Sequence, residues 1–179
     1  ADSLAQAEAD QEAALEEYKK ANPLFAVLNP SVSPAGQPYQ GPVVGTVHYT
    51  DTAKVMAMLN SQVAKTVLPR ELRLCWTVKA IDEAESFYQL VALKSQTNGR
   101  PSLEGDVITD ARADFGQTSA YANVSMTMNA EGARDWRRIT RDNIGKSIAI
   151  VLDGYVYSFP TVQNEIAGGS SQITGNFTV

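Results

Sequence analysis

Two runs of strand-forming residues, Ser147-Ile148-Ala149-Ile150-Val151-Leu152 and Tyr155-Val156-Tyr157-Ser158-Phe159, are separated only by Asp153-Gly154. Asp-Gly between such runs is the strongest short hairpin signal, because a type I′ turn needs positive φ at both central residues. Any fold for this chain therefore contains an antiparallel hairpin near its C-terminus. Side chains alternate along a strand, so Tyr155, Tyr157 and Phe159 are expected on one face, with Val156 and Ser158 on the other. An aromatic row of this kind either packs on a helix or stays exposed.

The neighbouring segments extend the same logic. Asp106 to Phe115 and Ala122 to Met128 have strand composition, with Val124, Met126 and Met128 alternating against Ser125 and Thr127. Asn129 can cap a helix running to about Asn143, which Gly145 ends by supplying a left-handed residue. Gly168-Gly169 breaks the chain before a last strand, Ser171 to Phe177. Upstream, Val43 to Tyr49 reads as a strand. Thr50-Asp51 caps a helix to Val67 whose apolar residues Val55, Met58, Leu59 and Val63 follow helical spacing. Leu72 to Ile81 and Phe87 to Leu93, joined by the acidic turn Asp82-Glu83-Ala84-Glu85, read as a second hairpin. The fold class expected is α+β, a mostly antiparallel sheet with two principal helices, Thr50–Val67 and Asn129–Asn143.

Residues 1–42 differ in kind. Residues 1–21 are rich in Ala, Glu and Gln and hold six acids against two bases, which predicts a solvated helix with little to bury. Leu24 to Leu28 is a short strand candidate. Residues 29–42 carry Pro30, Pro34, Gly36, Pro38, Gly41 and Pro42, a density expected to prevent regular hydrogen-bonded structure. The expected organisation is thus 1–42 as an acidic helix and Pro/Gly-rich linker or insertion, and 43–179 as one α+β region. The chain begins without an initiator Met or an apolar leader, the expectation for a piece of something longer.

Charge and composition narrow the function classes. The 179 residues carry 15 Lys and Arg against 20 Asp and Glu, and residues 22–179 are nearly neutral, so nothing attracts nucleic acid over distance. The longest aliphatic run, Ile148 to Leu152, is far short of the roughly 20 residues that span a bilayer. One cysteine, Cys75, makes neither an intrachain disulfide nor a zinc cluster, and it reads as a small buried hydrophobe.

Each motif with chemical potential has a simpler reading. Gly145-Lys146-Ser147 ends like a phosphate-binding loop, but Thr140 stands where that loop needs glycine and the helix precedes it instead of following. Arg134, Arg137, Arg138 and Arg141 form a basic helical stripe, read as a solvated face opposite Ala133, Trp136 and Thr140. Asp106, Asp110 and Asp114 would share a face if one strand covered them, and are assigned to solubility at turns and edges, with no metal implied. His48 is the only histidine and no Gly-x-Ser-x-Gly elbow exists, which argues against an enzyme. No cofactor is expected. What remains is surface: an exposed aromatic row on a sheet edge suits capture of extended polypeptide by strand addition, with Tyr155, Tyr157 and Phe159 as the candidate contacts.

Beyond these readings, Leu103-Glu104-Gly105-Asp106-Val107-Ile108-Thr109-Asp110-Ala111 resembles the Leu-x-Gly-Asp-x-Ile-x-Asp-Ala signature of the SecD family of bacterial protein translocase subunits, including the fused SecDF form. The likeness continues through Val124 to Met128, Gly132-Ala133, Thr140, Asn143-Ile144-Gly145-Lys146 and Ile148 to Gly154. It closes with Ser158, Pro160-Thr161-Val162, Ile166, Gly168-Gly169 and Ile173-Thr174-Gly175-Asn176-Phe177. It covers 103–178 closely and 43–102 more loosely. The resemblance implies Gly105, Asp106, Asp110, Gly132, Asn143, Gly145, Asp153, Gly154, Pro160, Gly168, Gly169 and Gly175 as structural family positions.

It further implies the first large extracytoplasmic (periplasmic) domain of an inner-membrane protein of the RND superfamily, which assists the Sec translocon in proton-driven export. The family's opening Gly-Leu-Asp-Leu-x-Gly-Gly element and its closing Glu-Glu-Ala helix are absent, so the chain is expected to be the head with an incomplete base. The implied partners are unfolded preprotein, the Sec translocon and the SecF-like part of the complex. The family's proton-carrying acids lie outside this chain. The alternative expectation is a docking module that contacts other Sec subunits and never touches substrate.

Overall fold

A computed structural model of the chain describes residues 13–14, 16–96, 98–115 and 122–177. It divides into two compact units, Ala1–Arg70 with Trp76–Ala92, and Glu71–Cys75 with Leu93–Val179. The chain passes between them in two strands, β3 (Leu72–Trp76) and β4 (Phe87–Lys94). Fold class matches the sequence expectation: helices combine with sheets whose strand registers are antiparallel.

In the first unit, helix α1 (residues 16–21) leads through turns into β1 (Asn29–Pro30), and strands run in the order β1, β2 (Val43–His48), β4. Leu28, Val47, Val55, Leu90 and Val91 are its buried apolar residues. Two expectations need correction here. Leu24 to Leu28 is no strand: Ala26 N–H donates to Asn22 O at 3.1 Å and Leu28 N–H to Leu24 O at 2.8 Å. Those are helical-type bonds, and Pro23 is at home in such a first turn, where its missing N–H is not needed. Residues 29–42 do contain regular pairing. Asn29 and Pro30 face Thr46 and Gly45, and Val32 bridges Pro38. Proline is tolerated there because β1 is an edge strand.

The expected helix Thr50–Val67 is broken into a 3₁₀ turn (Tyr49–Asp51), α2 (Thr52–Leu59) and α3 (Gln62–Val67). Ser61 leaves the helical region at ψ 157°, and its hydroxyl accepts from Ala64 N–H at 3.2 Å, so it starts a new helix instead of continuing the old one. Asp51, expected to cap, makes no side-chain capping bond. Val63 and Val67 consequently lie 75% and 78% exposed.

The Asp82 side chain braces the acidic turn before β4. The Asp82 carboxylate accepts from Phe87 N–H at 2.7 Å and from Ser86 N–H at 3.0 Å, while Glu85 takes φ 52°. The Phe87 N–H foremost, then that of Ser86, holds this carboxyl below its ordinary value despite some opposing desolvation.

The second unit contains the three-stranded sheet β5 (Ile108–Phe115), β6 (Ala122–Met128), β9 (Ser170–Phe177), together with α4 (Ala130–Asp142) and the ribbon β7 (Ile150–Leu152), β8 (Tyr155–Ser158). Asn129 caps α4 as expected, accepting from Gly132 N–H at 2.8 Å, and its own N–H donates to Val107 O at 2.9 Å. The helix start approaches so closely that a Cβ on Gly132 would lie 2.6 Å from Val107 Cβ. Near the other end, fully buried Thr140 donates its hydroxyl to Trp136 O at 2.8 Å and accepts from Ile166 N–H at 3.0 Å. Gly145, at φ 78°, ends the helical path. Asp106 falls in a 3₁₀ turn (Gly105–Val107), not in a strand, so Asp106, Asp110 and Asp114 do not share one strand face.

Two expected outcomes follow from these contacts. Asp82→Asn should accelerate amide exchange at Ser86 and Phe87. In the parent chain, protection there should be full above the unfolded carboxyl value of about 4 and decline as pH falls through the lower folded value, because folding depresses this pKa. Thr140→Val, which orphans the part-buried Ile166 N–H, should cost about 1–2 kcal/mol in urea unfolding, whereas Thr140→Ser should cost less.

Candidate functional site

The ribbon β7–β8 grows out of the end of α4. Gly145 N–H donates to Val162 O at 2.9 Å, Val162 N–H to Lys146 O at 2.9 Å and Ile148 N–H to Pro160 O at 3.0 Å, with Ser147 bridging Thr161. Buried Val162 anchors this root. At the tip, Asp153 and Gly154 take φ 50° and 82°, the two positive values that a type I′ turn needs.

Register decides what the tip presents. Leu152 faces Tyr155 and Val151 faces Val156, but Ile150 faces Ser158, so Tyr157 has no residue opposite it and forms a bulge. Facing residues project to one side of a ribbon, which makes Leu152 and Tyr155 a cross-strand apolar pair. They are 54% and 50% exposed, and Tyr157 is 46% exposed. Val156, on the opposite face, is buried. The bulge ends the simple alternation that groups Phe159 with the two tyrosines, and Phe159 is half-buried. Sequence reasoning missed Leu152 and the adjoining Val151, because an unbroken apolar run carries no sign of which residues meet water.

Among the described residues, neither margin of this ribbon pairs with a third strand. Around a two-residue turn, the flanking Leu152 and Tyr155 exchange hydrogen bonds, so in the next pair the backbone groups point away from the partner strand; those of Val151 are on an exposed residue, whereas Val156 is buried. The arrangement offers backbone donors and acceptors beside exposed apolar side chains, which is the chemistry of an extended peptide's own edge.

Other candidates lead elsewhere. The Gly145 and Lys146 amides are spent on Val162 O and Asn143 O, so the Gly-Lys-Ser sequence has no free pair of amides to cradle a phosphate. The arginine stripe is exposed, with Arg137 paired to Glu165, Arg138 to Asp135 at 3.0 Å and Arg141 to Asp142 at 2.9 Å. Asp110 pairs with Arg112 at 3.4 Å and Asp114 accepts from the Ser125 hydroxyl. His48 lies in the first unit, its Nδ1 2.8 Å from Thr50 Oγ1. Burial pushes the half-buried Cys75 thiol up, against a smaller lowering by the Arg73 charge, which keeps it protonated. Among the family-like glycines, Gly132 and Gly169 sit against Val107 and Ala133, Gly105 and Gly168 have open space, and Gly175 lies in β9. Among the described residues, no helix is long and apolar enough to cross a membrane.

Comparison with known proteins adds an independent line. A family described as the SecDF P1 head subdomain matches residues 82–179. The protein translocase subunit SecD of Rhodothermus marinus is 41% identical over 157 residues, covering 86% of this chain and 23% of the relative. The SecDF subunit of Thermus thermophilus is 45% identical over 83 residues, 46% of this chain and 11% of that protein. A crystal structure of Thermus SecDF, titled a translocon-associated membrane protein, aligns over 43% of this chain and 11% of that one at 47% identity, with a TM-score of 0.39. The chain thus spans less than a quarter of the length of these relatives.

Replacing Gly154 by Val places a β-branched residue at φ 82°. The expected cost is about 1–2 kcal/mol. It should appear as roughly tenfold faster amide exchange at Leu152 and Tyr155 with exchange in α4 unchanged.

Proposed function

The chain belongs to the SecDF P1 head subdomain family, and from that membership we propose that it is the extracytoplasmic, periplasmic part of an accessory Sec translocase subunit. In this reading it binds emerging unfolded preprotein transiently while the parent membrane protein assists proton-motive-force-driven export. Residues 43–179 form the working head region, and residues 1–42 are an acidic insertion or linker that precedes it. The Sec translocon and the SecF-like part of the complex are the proposed neighbours.

One observation supports the substrate role: among the described residues the β7–β8 ribbon pairs with no third strand, and it exposes Val151, Leu152, Tyr155 and Tyr157 near its tip. A client in extended conformation pairs with the outward groups of Val151, which is exposed where its partner Val156 is buried, and its side chains lie against the tyrosines. Backbone bonds are indifferent to sequence, and a few exposed rings add adaptable contact, so affinity is weak and specificity low. Those are the properties a receptor for many different chains needs if each must also be released. Phe159, half-buried, supports the ribbon from below its tip and contacts the client less than the two tyrosines do.

Titrating the isotope-labelled chain with an unfolded peptide should move the Val151 and Tyr155 to Phe159 amide signals. A Tyr155→Ala, Tyr157→Ala double variant should weaken the interaction about fivefold or more. Absence of movement in that stretch at millimolar peptide would remove the hairpin as the client site. Site-specific crosslinks from Tyr155 during translocation that join only Sec subunits, and never the client, would reassign it to docking.

A further inference from the structure

A second exposed apolar surface lies in the first unit. His48 faces Phe87 across β2–β4, their rings 5.4 Å apart and edge-on, and the Tyr49 ring lies 4.6 Å from that of His48. Tyr49 N–H donates to Ser86 O at 2.8 Å and Ile81 N–H to Phe87 O at 2.9 Å, which brings both residues alongside the same strand end. Tyr49, Ile81 and Phe87 are 57%, 54% and 43% exposed. Three large apolar side chains meeting water at adjoining positions form a patch, not scattered exposure.

Charge narrows what fits there. The turn that presents Ile81 and Phe87 carries Asp82, Glu83 and Glu85 against Lys79 as the only base in residues 79–87, and Asp51 follows Tyr49 closely. Asp82 is spent on the backbone of the turn, but Glu83 and Glu85 are exposed. A second copy of the chain docking through the same patch would set one acidic turn against another. The acidic residues 1–21 carry the wrong sign, and an anionic lipid surface is repelled likewise. A cationic side chain, by contrast, gains both the carboxylates and the faces of the Tyr49 and Phe87 rings.

We propose that His48, Tyr49, Ile81 and Phe87 form a docking surface for unfolded polypeptide segments in which Lys or Arg neighbours an apolar or aromatic residue. It is separate from the β7–β8 ribbon and selects by charge, where the ribbon reads backbone.

The test uses the isotope-labelled 179-residue chain and two unstructured probes, a peptide with a Lys-Phe-Lys-Leu core between Gly-Ser flanks and its counterpart with Glu for Lys. The lysine peptide should move the Tyr49, Ile81 and Phe87 amide signals. The glutamate peptide should bind at least tenfold more weakly, and raising salt to about 0.15 M should narrow the difference. Glu83→Gln with Glu85→Gln, and separately Tyr49→Ser, should each weaken the lysine peptide about threefold. Equal binding of both peptides, unchanged affinity in these variants, shifts confined to Val151–Phe159, or preference for phosphatidylglycerol vesicles over the peptide would each overturn the assignment. Shifts confined to Val151–Phe159 would do so while leaving the hairpin reading intact.

Discussion

Helix α4 lies against the Val107–Met128 corner only because residue 132 has no side chain: any Cβ there would drive into Val107. The second unit is organised from that contact. With its first turn capped by Asn129 and its body pinned through the Thr140 hydroxyl to Ile166, the helix has one available position, and so does the Gly145 turn that follows it. The ribbon then starts from a fixed point, its first rungs formed between residues 145–148 and 160–162. Close packing at the root fixes where the ribbon starts, and from there one face buries Val156 while Leu152 and Tyr155 at the tip meet water.

This division between rigid root and exposed tip suits a receptor that must engage many sequences weakly. A pocket would impose shape, and a catalytic cleft would need positioned acids and bases. Among the described residues the ribbon pairs with no third strand, and it carries two half-exposed tyrosines, whose amphipathic rings are the contacts proposed for a client. The second surface proposed in the first unit differs in kind, since backbone pairing ignores sequence and charge does not.

Much of this was legible before any coordinates. Asp153-Gly154 announced its turn, Asn129 its cap and Gly145 its helix end, because each depends on interactions within a few residues. The split between α2 and α3 at Asn60-Ser61 was not, because apolar spacing continues across it to Val63. A local capping bond from Ser61 overrides the periodicity. Leu24 to Leu28 misled in the opposite sense: its apolar residues suit a strand, but Pro23 and the preceding helix carry it into helical turns. Strand composition runs from Asp106 to Phe115, yet the chain turns at Gly105–Val107 before β5 begins.

For the candidate site, sequence by itself determined that a hairpin exists, where it turns, and that Tyr155 and Tyr157 flank a residue of the opposite face. Those follow from the alternation of a strand and the φ demands of a two-residue turn. Only the tertiary structure decided that Val156 goes into the core while Leu152 and the tyrosines face water, that a bulge at Tyr157 separates Phe159 from them, and that among the described residues no third strand joins the ribbon. The physical reason is range. Turn chemistry is settled by neighbours along the chain, whereas burial of one ribbon face and occupancy of a strand edge depend on segments far away in sequence.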